Sequence, residues 1–135
     1  MNASHAYRQT QTQTASPGEL VVMLYRGAVR FVAKGLAALE TQDIQGAHTN
    51  LVRAQEIIAE LLGTLDLVRG VEIADQLLGI YEYLNRRLVD ANLGKDPAPA
   101  REVERFLREL LPAWEEAARL AAPAPAPTKS LAGVA

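Results

Sequence analysis

The chain has 135 residues, of which 49% are hydrophobic and 22% charged, and it contains no cysteine. This length suits one domain with its own core, and the lack of cysteine excludes disulfides, thiolate catalysis and thiolate-bound zinc. The 14 Lys and Arg against 16 Asp and Glu give a net charge of −2, so no positive excess is available for binding nucleic acid. We therefore expect one soluble cytoplasmic domain that needs no cofactor or metal.

The two ends of the chain differ in composition from the middle. Residues 1–15 are polar and contain one tyrosine, Tyr7, and residues 123–135 begin with alternating Pro and Ala. Such segments bury too little apolar surface to fold. We predict a flexible N-terminal arm over 1–15, a helical domain over 16–122 and a disordered Ala/Pro-rich tail over 123–135. The longest strongly apolar run, Leu20–Tyr25, is too short to cross a bilayer, so no membrane insertion is expected.

Four helices are predicted between these ends. Ser16 begins the first as half of a capping box, Asp43 caps the second, and Asp96 caps the fourth. Gly94 is expected to end the third in the left-handed region. Pro112 is expected to kink or divide the fourth helix, because it removes one backbone hydrogen bond. The predicted helices cover residues 17–40, 44–65, 71–93 and 97–122.

The last three helices carry apolar residues at alternating spacings of three and four, which is the pattern of a helix with one buried face. Short connections make neighbouring helices antiparallel. The sequence therefore predicts an all-α fold, an antiparallel up-down four-helix bundle. The predicted buried seams are Ile44, Ala47, Leu51, Ala54, Ile58, Leu61 and Leu65; Ala74, Leu77, Tyr81, Leu84, Leu88 and Ala91; and Val103, Leu107, Leu110, Trp114, Ala117 and Ala121.

The first helix is apolar around a much wider arc. Arg26, Arg30 and Lys34 occupy about 80° of its circumference, and about 200° is apolar. A surface helix needs a stripe of only about 100°. Two interpretations stay open: the other helices cover this helix on two sides, or part of the surface is open to a partner helix or to the N-terminal arm.

No catalytic motif is present, and the carboxylates are spread over polar helix faces. One alternative involves chemistry, because histidine phosphotransfer domains carry an exposed histidine on a helix of a four-helix bundle, as His48 would be. Those domains usually have Lys and Gly three and four residues later, where this chain has Leu51 and Val52. An exposed surface histidine is the better interpretation.

A set of short phrases, in order along the chain, resembles the flagellin-specific secretion chaperone family, FliS. Arg26 departs from the family, which commonly has Asp at that position. The phrases are Tyr7, Ala15-Ser16-Pro17, Leu20, Met23-Leu24-Tyr25, Gly27-Ala28, Ala54-Gln55, Ile57-Ile58, Glu72-Ile73-Ala74, Leu77, Tyr81-Glu82-Tyr83, Arg86-Arg87-Leu88, Ala91-Asn92 and Trp114.

The resemblance implies a helical bundle, with no enzymatic activity, that binds the C-terminal region of flagellin in the cytoplasm, prevents its early polymerisation and supports its secretion through the flagellar type III export apparatus. It also implies that the arm bearing Tyr7 covers apolar surface before the client binds. A chaperone for a different export client is the alternative, and the expected state is a monomer or weak homodimer. The candidate partner-binding residues are Tyr7, Tyr25, Ile57, Tyr83, Leu84, Arg87 and Asn92.

Overall fold

The computed structural model describes residues 16–68 and 70–121. Within them, α1 spans Pro17–Glu40, α2 spans Ile44–Gly63, α3 spans Val71–Gly94 and α4 spans Pro97–Ala121. One turn of 3₁₀ helix, Leu65–Leu67, lies between α2 and α3. The predicted arm with Tyr7 and the predicted tail over 123–135 lie outside the described residues, so the proposed domain boundaries stay predictions.

The four helices pack as an antiparallel bundle. Helix α1 packs against α2 and α4, and α3 packs against the same two helices, so α1 and α3 face each other across the diagonal. The described residues form no strand, and none of their helices is both long and apolar enough to cross a membrane. The predicted all-α four-helix fold is confirmed.

Three of the predicted helix caps are confirmed. The Glu19 amide donates to Ser16 Oγ at 3.2 Å while the Ser16 amide donates to Glu19 Oε1 at 3.0 Å, which satisfies two otherwise unpaired donors. Asp43 Oδ1 accepts from the Gly46 amide at 2.9 Å. Asp96 Oδ1 accepts from the Ala98 amide at 3.0 Å.

The end of α3 lies one residue later than predicted. Gly94 is still helical, and Lys95 takes the left-handed conformation with φ of 48°. This conformation usually favours glycine or asparagine. The Lys95 ammonium nevertheless stays close to the helix end, because Nζ donates to the carbonyl oxygen and to Oδ1 of Asn92 at 2.7 and 2.6 Å. A cation beside the last carbonyls is favourable there.

Tyrosines from the two diagonal helices meet at the centre of the bundle. Tyr25 of α1 and Tyr81 of α3 are almost completely buried, and their hydroxyl oxygens lie 2.8 Å apart in a hydrogen bond. Their rings pack edge to face with centroids 6.2 Å apart, and Trp114 of α4 lies 6.0 Å from the Tyr25 ring. Burial raises the pKa of both tyrosines, because the charged phenolate would lose its solvation.

The wide apolar arc of α1 is explained by packing inside the bundle. Every large apolar side chain of α1, which the structure describes in full, is buried or half-buried. Gly35 lets α2 approach closely, since a Cβ there would lie 2.8 Å from Leu51 Cδ2. Packing inside the bundle therefore accounts for the arc as the first interpretation expects, while the N-terminal arm of the second interpretation lies outside the described residues. Arg26 of α1 pairs with Glu115 of α4 at 2.8 Å.

The residues of the predicted seams are buried in the middle of the helices, but some of them are exposed near the helix ends. Ile44 is 56% exposed, and Ala117 and Ala121 are also exposed. Ile44 is the first residue of α2 and Ala121 the last of α4. At Ala117 the covered side of α4 has moved to the next residue, since a Cβ at Gly18 of α1 would lie 3.3 Å from Ala118. Helix α4 continues through Pro112 as one element, so it is not divided there.

Candidate functional site

Helix α3 carries a second apolar surface that faces away from the core. Val71, Leu78, Val89 and Leu93 fall within about 60° of one another around the helix axis, roughly 120° from the buried seam. Val71 and Leu93 are 79% and 83% exposed, and Leu78 is also exposed, while Val89 is half-buried. We call these four residues the outer stripe. A helix with two apolar faces covers one in the bundle and presents the other to a partner.

An open depression of about 750 Å³ lies beside the outer stripe, between the last turn of α2 and the middle of α3. Its wall is partly apolar and partly charged, which suits a site that orients an apolar segment with a few polar contacts. The depression is lined by Leu62, Glu82, Tyr83, Asn85, Arg86, Arg87, Val89 and Asp90.

One wall of the depression is fixed by a network that joins α3 to α4. The Tyr83 hydroxyl donates to Glu102 Oε2 at 2.7 Å, and Arg87 Nε donates to Glu102 Oε1 at 2.7 Å. Arg87 Nη1 also donates to Asp90 Oδ2 at 3.1 Å. The Arg86 guanidinium lies 5.9 Å from the centre of the Tyr83 ring. Both oxygens of Glu102 are thereby engaged, so the tyrosine and Arg87 are held in defined positions.

The same network shifts the pKa values of its members. Hydrogen bonds from Tyr83 and then from Arg87 lower the pKa of the Glu102 carboxyl, because both stabilise the carboxylate. The hydrogen bond to Glu102 raises the pKa of Tyr83, since losing its proton would break that bond. The bond to Glu102 also raises the pKa of Arg87. At neutral pH this wall is therefore a fixed ion pair with a neutral tyrosine.

The depression brings together two of the seven residues predicted to bind a partner, Tyr83 and Arg87. Tyr25 and Leu84 are not at a surface, because both are fully buried in the core. Leu84 follows Tyr83 directly in the chain but points to the buried seam of α3, as successive helical residues lie about 100° apart.

The remaining predicted residues lie elsewhere. Ile57 is half-buried between α1 and α2, where its Cδ1 atom approaches Gly27. Asn92 is nearly buried at the other end of α3, and its Nδ2 lies 3.1 Å from Nδ1 of His48. His48 is exposed, as predicted. Tyr7 lies outside the described residues.

Sequence reasoning missed several residues of this site. Glu82, Arg86, Val89 and Asp90 recur at helical spacing on one side of α3, and that spacing could have indicated a second stripe. Glu102 had no such signal, because it belongs to another helix and joins the site only through the packing of α3 against α4.

These features define an all-α protein with a surface suited to binding a segment of another protein. The whole described region also matches a known family, "Flagellar protein FliS", over residues 1–121. The chain belongs to this FliS family. Its members are chaperones, and membership makes this protein a flagellar secretion chaperone rather than an enzyme.

Relatives from several bacteria carry the name flagellar secretion chaperone FliS. The Bacillus subtilis protein is 39% identical over 116 residues, covering 86% of this chain and 86% of the relative. The Campylobacter jejuni protein is 37% identical, with 84% and 89% covered. The Salmonella typhimurium protein is 35% identical, with 82% and 86% covered.

Proposed function

We propose that this protein binds the C-terminal region of flagellin in the cytoplasm, keeps it from polymerising early and delivers it to the flagellar export apparatus. The client would lie as an amphipathic helix along the outer face of α3. The outer stripe is the observation that carries this proposal, because its apolar side chains are exposed although the core is already complete.

The geometry of the outer face supports an apolar contact with a polar edge. Leu78 and Leu93 offer apolar contacts along more than four turns of α3. Tyr83 and Arg87 stand beside the stripe and are already held by Glu102. A client helix would therefore meet side chains that lose little additional freedom on binding.

Calorimetric titration with a C-terminal flagellin fragment tests the contact. Leu78→Asp changes an exposed side chain of the stripe, so the bundle should stay folded. Leu78 is 40% exposed, so a client can bury less than half of it, which contributes roughly 0.6–1.2 kcal/mol and corresponds to about a 3- to 8-fold weaker complex. Leu120→Asp is the matched control, since it makes the same change at an exposed position on α4 outside the stripe. Equal weakening by both variants would contradict the proposed location.

The thermodynamic signature tests the mechanism separately. Burial of apolar surface should give a negative heat-capacity change, measured by titration at two temperatures. The affinity should vary little with salt, because screening acts on charges rather than on apolar contact. Affinity that collapses in high salt with no heat-capacity change would contradict apolar binding.

The choice of client needs its own comparison. A fragment of a different exported flagellar protein is titrated in parallel, and tighter binding of that fragment would replace flagellin as the client. In a polymerisation assay, one equivalent of the protein should keep purified flagellin monomeric, and Leu78→Asp should be less effective. Leu120→Asp should act like the unmodified protein.

We further propose that Tyr7 and its segment cover part of the client surface until flagellin binds. Amide hydrogen exchange of residues 1–15 should then increase when the flagellin fragment is added. Unchanged exchange, with the fragment bound, would contradict this role.

A further inference from the structure

Three positive charges converge on one aromatic ring at the surface between α1 and α2. Arg30 and Lys34 of α1 lie 5.2 and 5.4 Å from the centre of the Phe31 ring, and Arg53 of α2 lies 5.5 Å from it. Phe31 is half-buried, and the three cationic residues are exposed. We call Arg30, Phe31, Lys34 and Arg53 the cationic cluster.

The three positive charges of the cationic cluster form a local surface of one sign. Any two of the cationic groups are separated by at most twice their distance from the ring. This upper limit is about 11 Å, somewhat longer than the Debye length of about 8 Å at physiological salt, so the charges repel one another only where they lie closer than the limit. Like charges four residues apart on a helix, such as Arg30 and Lys34, also oppose helix formation. Contact with the ring, worth about 0.5–1 kcal/mol for an exposed cation, offsets this repulsion but leaves the three positive charges without a counter-charge.

Among the described residues, the ion pairs that join arginine to a carboxylate do not include the cationic cluster. They involve neither Arg30 nor Arg53, and Lys34 is in none of them. Among the described residues, the exposed Arg86 and Arg105 are likewise in none of these pairs. The arginines that do pair with carboxylates are Arg26, Arg87, Arg101, Arg108 and Arg119.

We propose that the cationic cluster docks an acidic segment of a second partner protein, at a place separate from the outer stripe. Carboxylates would pair with Arg30, Lys34 and Arg53, and an apolar side chain between them would pack on Phe31. The inference does not depend on flagellin being the client, because it rests on residues of α1 and α2 only.

The dimensions of the cluster favour a protein segment over other polyanions. Proteins that bind duplex nucleic acid by charge make about 6–10 phosphate contacts, and membrane-binding polybasic clusters contain about 4–8 Lys or Arg. This cluster has three cations in a chain of net charge −2. Two or three carboxylates around one leucine match its size and its central ring.

The probe is a short synthetic peptide with two glutamates on each side of one leucine, and its counterpart has glutamine at those four positions. Fluorescence anisotropy at low salt should show saturable binding of the glutamate peptide and at least tenfold weaker binding of the glutamine peptide. Absence of saturable binding up to millimolar glutamate peptide would overturn the proposal.

Two triple variants with the same change in net charge locate the site. The combination Arg30→Gln, Lys34→Gln and Arg53→Gln should weaken binding of the glutamate peptide at least about tenfold, which equals ~1.4 kcal/mol. The matched control combines Arg101→Gln, Arg108→Gln and Arg119→Gln and should change the affinity less than threefold. Equal loss in both would show general charge attraction and overturn the site. Circular dichroism confirms that both variants are folded, since all six side chains are exposed.

Chemical cross-linking tests the position of the bound peptide without the triple variants. Carbodiimide coupling should join Lys34 Nζ to a glutamate of the bound peptide, and should modify Lys95 much less. Coupling to Lys95 in preference to Lys34 would overturn the assignment.

Other ligands that could bind the cationic cluster are tested with the same variants. Duplex DNA or phosphatidylserine vesicles that bind more tightly than the peptide, and lose binding in the cluster variant, would overturn a protein partner. Sedimentation that shows a dimer lost only in the cluster variant would assign the face to a second copy of the chain instead. The flagellin fragment should not displace the glutamate peptide, and displacement would overturn a separate partner site.

Discussion

The hydrogen bond between Tyr25 and Tyr81 joins two helices that face each other across the diagonal of the bundle, and its removal should be strongly non-additive. Tyr25→Phe leaves the Tyr81 hydroxyl buried without its partner at 2.8 Å. A buried polar group that loses its hydrogen bond costs about 1–3 kcal/mol. For a domain of this size that corresponds to a fall in melting temperature of roughly 4 °C per kcal/mol.

The double variant, with Phe at both positions, should recover most of this loss. It removes both hydroxyls and keeps both rings, and replacement of both partners by apolar groups of the same shape is nearly neutral. The loss that remains is that of the hydrogen bond between Trp114 and Tyr25. Urea denaturation of the four proteins completes the double-mutant cycle. A double variant as unstable as the sum of the single variants would refute the reasoning, because it would show that the hydroxyls do not depend on each other.

The pH dependence of stability provides a second test of the same pair. Burial raises the pKa of both tyrosines above the usual 10.0, so the folded state keeps protons that the unfolded state loses. Their contribution is therefore fully present below pH 10.0 and is lost as the pH rises above it. Between about pH 9 and 11 the double Phe variant should lose less stability than the unmodified protein.

Three further predictions concern separate parts of the bundle. Leu84→Ala should cost about 2–5 kcal/mol in urea denaturation, because it leaves a cavity in the core; a loss below 1 kcal/mol would contradict its burial. Gly35→Ala should cost about 1–3 kcal/mol by pushing against Leu51, and a stabilised variant would contradict the close approach of α1 and α2. Carbon NMR should place the pKa of Glu102 below its usual 4.5, so its contacts persist above that pKa and disappear as the pH falls through it. Tyr83→Phe should raise that pKa, and an unchanged value would contradict the hydrogen bond.

The fold was largely predictable because its signals are local. The capping box of Ser16 and the cap of Asp43 mark helix starts within three residues of chain, and the spacing of Leu51, Ile58 and Leu61 marks a buried face. Local signals do not say where a facing helix ends. Ile44 continues the spacing of α2 but lies at the end of the bundle, so it is exposed.

The site was less predictable because it depends on which way each side chain points and on a second helix. Tyr83 and Leu84 were both candidate partner-binding residues, yet Tyr83 lines the depression and Leu84 is buried in the core. Tyr25 belongs to the motif Met23-Leu24-Tyr25, but the motif does not reveal that the Tyr81 ring packs against it in the core. The role of Glu102 follows only from the packing of α4 beside α3.

The two apolar faces of α3 place neighbouring residues under different requirements. Leu77, Leu84 and Leu88 must suit the interior of the bundle, whereas Val71 and Leu93 are 79% and 83% exposed and contribute little to it. In a complete substitution scan, changes at the inner residues should therefore lower the abundance of the protein. Changes at the outer residues should lower motility of the bacterium instead, and the two kinds of position should alternate along α3. Such a separation would let the binding face change with its client while the architecture stays constant.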